Sequence, residues 1–393
     1  MRRLLLAFAA AAGLLASGCL SVQKPAPKPG LTYVGSQDVI LPATLVGNVM
    51  VVETRWDKFG PYHFIIDTGS SVTLVSPDLA ARYPAPDAPP PVEPQVRVRS
   101  SEGGEVPLSK ATIKKIQLGK TRFEYVPALI YDCSDLSAQF GMKIDGILGF
   151  PLFRNAVLTL DYPNSRIVLR SKIPDDGLPG ETILFNNADK TPLIPIHLGD
   201  REFAALIDSG SNAGLYINPA GLSPKFAYGP VEGPTVSTLA GDRPLRVGRI
   251  SGTVRLGSFD IPDPVAVVTD ELSSLGGGLL SHFTVTFDQE HDQVFFEHDP
   301  SDSLASPPLR GTGLGFRKTP AYWKVAGVAA GSPAAAAGVS LGDLVSRING
   351  LPVAAWTPAR FDALMASARS VDLTFITGAQ ETPRTVAVAD LVP

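Results

Sequence analysis

Two apolar runs in this chain each end in an aspartate and a glycine turn: FIIDTGSS at Phe64–Ser71 and ALIDSGSN at Ala205–Asn212. Aliphatic residues that stop at a small polar residue and a glycine are typical of a buried strand followed by a tight turn. A single Asp-Thr/Ser-Gly triplet is usually an ordinary turn. Here the strand and turn occur twice, with Asp67 and Asp208 141 positions apart, which indicates an internal repeat.

The repeat extends beyond the two aspartates. Three further pairs of segments follow in the same order, and each pair shares its strands and turns: Ile116–Gly119 with Val254–Gly257, Asp145–Phe150 with Gly277–His282, and Leu158–Tyr162 with Val285–Gln289. Four matching blocks in one order predict a duplicated structural unit.

The composition favours strands over helices. The chain has 393 residues, 44% hydrophobic and 18% charged, which is enough to form ordinary cores. Its 37 glycines and 36 prolines favour many short strands and turns. The formal net charge of −4 argues against nucleic acid as a partner. We therefore expect a mainly β protein.

The paired Asp-Thr/Ser-Gly loops, each followed by an apolar pair flanked by glycine, resemble the aspartic peptidases of the pepsin and retropepsin type. The resemblance implies two pseudosymmetric β lobes, residues 32–172 and 173–298, with a catalytic pair formed by Asp67 and Asp208. Hydrolysis by activated water needs one carboxylate as base and one carboxylic acid, and two adjacent aspartates that share a proton provide both.

By the same resemblance, six residues support the catalytic loops: Thr68 and Ser209, Gly69 and Gly210, and Ser70 and Ser211. The hydroxyls of the first pair would link the two loops. The glycines would allow the tight turn and close backbone approach, and the serine hydroxyls would bind the outer carboxylate oxygens.

An apolar pair and a glycine pack behind each aspartate loop in this family. The first copy keeps them as Ile147-Leu148-Gly149, whereas the second copy has Leu279-Leu280-Ser281. A side chain in the glycine position could shift the loop that supports the second aspartate. A second hypothesis therefore stays open, in which the lobes form a peptide-binding scaffold without turnover.

Each copy also contains a candidate flap to cover the substrate. The segments are Ser100–Glu105 and Leu239–Arg243, both of which turn chemistry predicts to be hairpin tips. Two similar flaps are closer to the retropepsin arrangement than to the single flap of pepsin.

A polar, proline-rich linker at residues 299–310 leads to a last unit at residues 311–393. This unit contains GLGF at Gly313–Phe316, a helix start at Ser332-Pro333 and a hairpin turn at Asn349-Gly350. The pattern resembles a PDZ domain, a small α+β fold that binds C-terminal peptides at a sheet edge.

The PDZ resemblance places the carboxylate-binding loop at Leu314, Gly315 and Phe316. Pro320 follows closely and would interrupt the edge strand that pairs with a ligand. A packing domain that no longer binds C-termini therefore stays an alternative.

The first eighteen residues read as a secretion signal, with Arg2-Arg3 before a short apolar run. Cys19 stands where a bacterial lipobox has its lipidated cysteine, and residues 19–31 form a proline-rich tether. We expect a periplasmic protein with a lipid anchor, in the outer rather than the inner membrane because no aspartate follows Cys19. A plain cleaved signal peptide is the alternative.

The remaining candidate groups give no competing chemistry. Cys133 has no base beside it in the sequence and reads as a buried small residue. The Gly-x-Ser-x-Gly match at Gly338–Gly342 lacks the strand, turn and helix order of a hydrolase elbow. The five histidines show no metal-ligand spacing, so we expect neither metal nor cofactor.

These observations predict an aspartic endopeptidase that hydrolyses peptide or protein substrates, followed by a PDZ domain that recognises a protein or a C-terminal peptide. Because both aspartates are in one chain, dimerisation is not required. The alternative is a catalytically inactive, peptide-binding scaffold in the cell envelope.

Overall fold

The computed structural model describes residues 30–56, 59–85, 96–99, 104–238 and 241–393, without the side chains of residues 234–244. With 53% strand and 11% helix, it confirms the predicted mainly β architecture. The predicted signal peptide, Cys19 and almost all of the tether lie outside the described residues. Within those residues, no helix is long and apolar enough to cross a membrane.

The first part of the chain is built from short strands with two helices and a 3₁₀ helix. Its elements are β1 (Leu31–Tyr33), β2 (Val39–Val46), β3 (Val49–Trp56), β4 (Phe59–Asp67), β5 (Thr73–Val75), α1 (Pro77–Arg82), β6 (Val96–Arg99), β7 (Glu105–Leu118), β8 (Thr121–Ile130), α2 (Ser134–Phe140), β9 (Gly146–Gly149), the 3₁₀ helix (Phe150–Phe153), β10 (Val157–Asp161) and β11 (Arg166–Arg170).

The second part has a similar succession of strands. Its elements are β12 (Glu181–Leu184), β13 (Leu193–Leu198), β14 (Arg201–Asp208), β15 (Leu215–Ile217), β16 (Phe226–Thr238), β17 (Gly241–Ile250), β18 (Thr253–Leu256), β19 (Phe259–Pro262), β20 (Val265–Val268), β21 (Ser274–Gly276), α3 (Gly277–Leu280), β22 (Phe283–Asp288) and β23 (Gln293–His298).

The C-terminal part is a smaller α+β unit. Its elements are β24 (Leu309–Gly311), β25 (Leu314–Lys318), β26 (Trp323–Val328), α4 (Pro333–Ala336), β27 (Leu344–Ile348), β28 (Leu351–Pro352), a 3₁₀ helix (Val353–Ala355), α5 (Pro358–Ser367), β29 (Ser370–Thr377), β30 (Gln380–Ala387) and β31 (Ala389–Val392).

The same strand pairing occurs twice around the two aspartates. In the first copy β4 is parallel to β9, β9 is antiparallel to β5, and β5 is parallel to β8. In the second copy β14 is parallel to β21, β21 is antiparallel to β15, and β15 is parallel to β20. The sequence repeat therefore corresponds to a repeated topology.

One sheet joins the two copies, with the strand order β12-β23-β22-β10-β11-β2. At its centre β10 and β22 pair antiparallel, with Thr159 opposite Thr286 and their hydroxyl oxygens 2.9 Å apart. These threonines occupy matching positions in the repeat. Equivalent residues thus meet at a local twofold axis.

Burial on both faces holds the aspartate strands in place. Phe64 and Ile66 in β4 and Ala205 and Ile207 in β14 have no exposed surface and belong to one shared core. The residues between them are buried too, and since successive strand residues face opposite sides, both faces of each strand are covered up to its final aspartate. Burying a large aliphatic or aromatic side chain contributes about 1.5–3 kcal/mol.

The C-terminal unit has the local elements that its sequence predicts. The Ser332 hydroxyl caps α4 by accepting the Ala335 amide at 3.3 Å, and Asn349 and Gly350 adopt positive φ in the turn from β27 to β28. Its main sheet has the order β25-β26-β27-β29-β30, with β28 beside β27. β25 is therefore an edge strand of this sheet.

The C-terminal unit is attached to the second copy at its two ends. β24 pairs with β31, and Leu309 and Val392 pack with Tyr216 and Val267 of the second copy. The Arg249 guanidinium also donates to the carbonyl oxygen of Ser306 in the predicted linker, at 3.1 Å. The linker therefore runs along the protein surface rather than apart from it.

Candidate active site

Asp67 and Asp208 lie opposite each other at the ends of two buried strands. Each is the last residue of its strand, β4 or β14. A Cβ atom on Gly69 would lie 2.6 Å from the Asp208 carboxyl carbon, and one on Gly210 would lie 2.5 Å from that of Asp67. Each glycine thus packs against the opposite carboxyl group, where a side chain would collide with it.

Reciprocal hydrogen bonds connect the two turns. The Thr68 amide donates to Ser209 Oγ and the Ser209 amide donates to Thr68 Oγ1, both at 3.0 Å. The Thr68 hydroxyl donates to the Ile207 carbonyl at 2.6 Å, and the Ser209 hydroxyl donates to the Ile66 carbonyl at 2.9 Å. These bonds have the cross-linking geometry expected of Thr68 and Ser209, and they fix the turns relative to each other.

The strand behind each turn ends in a glycine opposite the aspartate. The parallel pairing of β4 with β9 places Gly149 opposite Asp67. The parallel pairing of β14 with β21 places Gly276 opposite Asp208. Gly276 is therefore the second-copy counterpart of Gly149, and the site keeps a glycine in both copies.

The prediction that Leu279, Leu280 and Ser281 form the second apolar pair and its glycine position is wrong. The two leucines lie in α3, and Ser281 follows them with φ −60° and ψ −18°, an ordinary right-handed conformation. The pairing of β21 with β14 instead gives their roles to Ser274, Leu275 and Gly276. The sequence analysis missed these three residues because serine replaces the first aliphatic residue of the motif.

The hydroxyls of Ser70 and Ser211 do not make the predicted contacts with the aspartates. Ser70 Oγ donates to the Val72 carbonyl oxygen at 2.8 Å. Ser211 Oγ is buried and has no hydrogen-bond partner in the described part of the chain. Backbone amides bind the carboxylates instead, as the Gly210 amide does with Asp208 Oδ1 at 3.0 Å.

Burial makes both aspartates reluctant to ionise. Burial raises the pKa of Asp67 to about 6, against the opposing effect of backbone amide bonds from Gly69 and Ser70. Burial raises the pKa of Asp208 well above its usual value, and the neighbouring charge of Asp67 raises it further. Two like charges this close share one proton over a wide pH range.

The aspartates form the floor of an open cleft of about 360 Å³. Val98 and Arg99 of the first hairpin line one part of it, and Leu136 and Phe140 of α2 line another. The Arg99 guanidinium also forms two hydrogen bonds with the Glu271 carboxylate, at 2.8 and 3.1 Å. This ion pair connects the first hairpin to the second copy.

The two candidate flaps have different surroundings. β6 and β7 form the first hairpin, and β16 and β17 form the second. The tips at residues 100–103 and 239–240 lie outside the described residues. The first hairpin contributes to the cleft, whereas β16 packs against β25 and β26 of the C-terminal unit.

The other residues named from the sequence lie away from the aspartate pair. Cys133 is a free, buried residue, as the sequence predicts, and burial raises the pKa of its thiol to about 12. Leu314, Gly315 and Phe316 begin the edge strand β25, where a carboxylate-binding loop was predicted. Among the described residues, no cluster of His, Cys, Asp or Glu could hold a metal ion.

Two parts of the chain match known families. Residues 52–152 match a family model described as Aspartyl protease, and residues 324–376 match the PDZ domain model. The chain carries an aspartyl protease domain and a C-terminal PDZ domain. The first match includes Asp67 and Gly149, whereas Asp208 lies beyond it and is brought to the site by the repeated topology. No curated protein matches the chain.

Proposed function

We propose that this protein is an aspartic endopeptidase with two fused lobes, and that Asp67 and Asp208 activate water for peptide-bond hydrolysis. The observation that carries the proposal is the reciprocal bonding of Thr68 and Ser209, which holds the two buried carboxyls together. A structural pair of buried aspartates without function would only destabilise the fold.

The proposed mechanism needs no group from outside the chain except water. One carboxylate takes a proton from the water as it attacks the substrate carbonyl carbon. The other, protonated carboxyl donates a hydrogen bond to the carbonyl oxygen and then its proton. The tetrahedral intermediate collapses with proton transfer to the leaving amine, and the pair returns to its singly protonated state.

The scaffold hypothesis loses its main argument from the sequence. That argument was the serine in the glycine position of the second copy, and the strand pairing gives that position to Gly276. A scaffold would also have no need for two carboxyls with raised pKa values. We therefore favour turnover over passive binding.

The test is hydrolysis of a random peptide pool by the soluble chain from Leu20 onward, between pH 3 and 8. Mass spectrometry of the products would show internal cleavage that chelators do not suppress, with the Asp67→Asn protein as the matched blank. Failure of the folded protein to cut any peptide in this range would favour the scaffold.

The pH profile should rise near neutrality rather than in acid. Below a pKa of about 6 for Asp67, both carboxyls of the pair become protonated and no base remains. We expect kcat/KM at pH 4 to be about 100-fold below its plateau. The measurement is kcat/KM of one cleaved peptide against pH, and an optimum at pH 3 to 4 would contradict the prediction.

We also propose that the protein is exported and anchored through a lipid on Cys19, in the periplasm and with the outer membrane as the favoured site. The support is the Arg2-Arg3 and apolar run before a cysteine. We expect Cys19→Ser to move the protein from the membrane fraction to the soluble fraction, as immunoblots would show. Equal membrane association of both forms would contradict this.

A further inference from the structure

The PDZ domain forms part of the wall of the catalytic cleft. Lys318, Pro358 and Asp362 line the same cavity as Asp67 and Asp208. None of the three belongs to the aspartate repeat. The cleft is therefore completed by residues of the C-terminal PDZ domain.

Specific contacts hold the PDZ domain in this place. The Arg317 guanidinium donates to the Asp135 carboxylate at 2.9 Å, which connects β25 to α2. A Cβ atom on Gly141, at the end of α2, would lie 3.8 Å from Pro358 and 3.9 Å from Lys318. β16 packs against β25 and β26 from the second copy. Both copies thus position the edge strand.

The three cleft residues come from one end of the PDZ groove. Lys318 is the last residue of β25, Pro358 is the first residue of α5, and Asp362 lies one turn further. The Lys318 ammonium also lies 5.2 Å from the centre of the Trp323 ring, which restricts its position. The PDZ resemblance implies that a ligand adds to the sheet edge between β25 and α5.

The direction of a bound peptide follows from the two ends of β25. A free carboxylate at Leu314–Phe316 places the C-terminal residue at the start of this strand. The upstream residues must then run along β25 and leave at Lys318. Lys318 lines the same cavity as Asp67 and Asp208, so a chain that leaves β25 there would continue toward the aspartates.

We propose that the substrate is the unstructured C-terminal tail of a polypeptide, held by its free carboxylate in the PDZ groove and cut at a set distance upstream. The four steps between the five residues of β25 cover about 13 Å at about 3.3 Å each, so at least about five residues separate the cut from the terminus. This inference rests on the proposed endopeptidase function and adds its substrate class.

The test uses synthetic peptides that contain the sequence cut best in the random pool. This sequence is followed by tails of two to twelve residues, each made as a free acid and as an amide. We expect kcat/KM to be more than 10-fold higher for acids than for amides once the tail exceeds about five residues. As the tail is lengthened, the number of residues between the cleaved bond and the C-terminus should stay the same.

A pair of lysine variants tests the exit. Lys318→Trp should narrow the exit at the end of β25. The kcat/KM for free-acid peptides should then be close to that for amides, a ratio near one. Lys324→Trp, on the neighbouring strand β26, replaces an exposed lysine that does not line the cleft, and it should keep the wild-type ratio. If both variants lost the preference for free acids over amides, a role for the exit would be contradicted.

The outcomes separate this inference from the proposed function. Equal cleavage of acids and amides, or cuts scattered without regard to the terminus, overturns the tail hypothesis and leaves the endopeptidase in place. Absence of cleavage from the whole pool overturns the endopeptidase and the tail hypothesis with it.

Discussion

Asp208→Asn is expected to lower kcat/KM at least about 1,000-fold, and Asp67→Asn is expected to do the same. In the proposed mechanism each aspartate contributes half of an acid and base pair, and an asparagine can act as neither. The loss should be similar for both variants and should not add in the double variant, because the pair works as one unit. The loss is measured as kcat/KM for peptide hydrolysis at the wild-type pH optimum. A variant that keeps a tenth of the wild-type activity would contradict the assignment of its aspartate to the catalytic pair.

The same substitutions should stabilise the fold, which distinguishes a catalytic pair from a structural one. A carboxyl whose pKa is raised in the folded state binds its proton more tightly there than in the unfolded chain. Its favourable effect is complete below the unfolded value of 3.8 and is lost as the pH rises through about 6. Asp67→Asn avoids that loss, so its free energy of unfolding should exceed that of the wild type by up to about 3 kcal/mol at pH 8.

Thermal unfolding of the wild type and Asp67→Asn at pH 4 and pH 8 checks the sign. The difference in Tm should be small at pH 4 and larger at pH 8. A variant less stable than the wild type at pH 8 would mean that the carboxylate is a stabilising partner in the fold, contrary to the burial that raises its pKa.

The sequence was sufficient for the features that local chemistry determines. The strand and turn at Asp67 and Asp208, the cap at Ser332 and the turn at Asn349-Gly350 all follow from residues close together in the chain. The repeat brought the two aspartates into one prediction although they are far apart in sequence. Topology then confirmed that the copies have the same pairing.

Side-chain contacts between distant segments were beyond that reasoning. The Ser70 hydroxyl donates to the Val72 carbonyl rather than to a carboxylate. The position of the PDZ domain beside the cleft depends on how β25 packs on α2, through the Arg317 and Asp135 pair. No pattern in either segment alone predicts that contact.

The glycine of the second copy was missed for a different reason. By residue type, the first-copy motif is best matched by two leucines and a serine in the second copy. By spacing, it is matched by a different segment. The strands β10 and β22 correspond at a spacing of 127 residues, since Thr159 faces Thr286. The same spacing places Gly276 against Gly149, as the strand pairing does. The spacing between β10 and β22 was therefore the signal from which Gly276 could have been predicted.

Gly276→Ala is expected to lower kcat/KM at least about 100-fold. A Cβ atom at this position would lie 2.3 Å from the Ala213 carbonyl oxygen and 3.0 Å from Ser211 Oγ. The first of these is a backbone atom in the turn after Asp208, so the turn itself must move. A displacement of about 1 Å in a catalytic group costs about 100-fold in rate. Gly149→Ala, whose Cβ would lie 2.2 Å from the Val72 carbonyl oxygen, should behave alike.

Ser281→Gly is the matched control, because the two assignments of the glycine position predict opposite results for it. If Ser281 held that position, removing its side chain would relieve the loop and raise the activity. In the structure its hydroxyl donates only to the Gly278 carbonyl, at 3.1 Å, at the end of α3. We therefore expect kcat/KM within about twofold of the wild type. Activation of Ser281→Gly together with a tolerated Gly276→Ala would overturn the assignment.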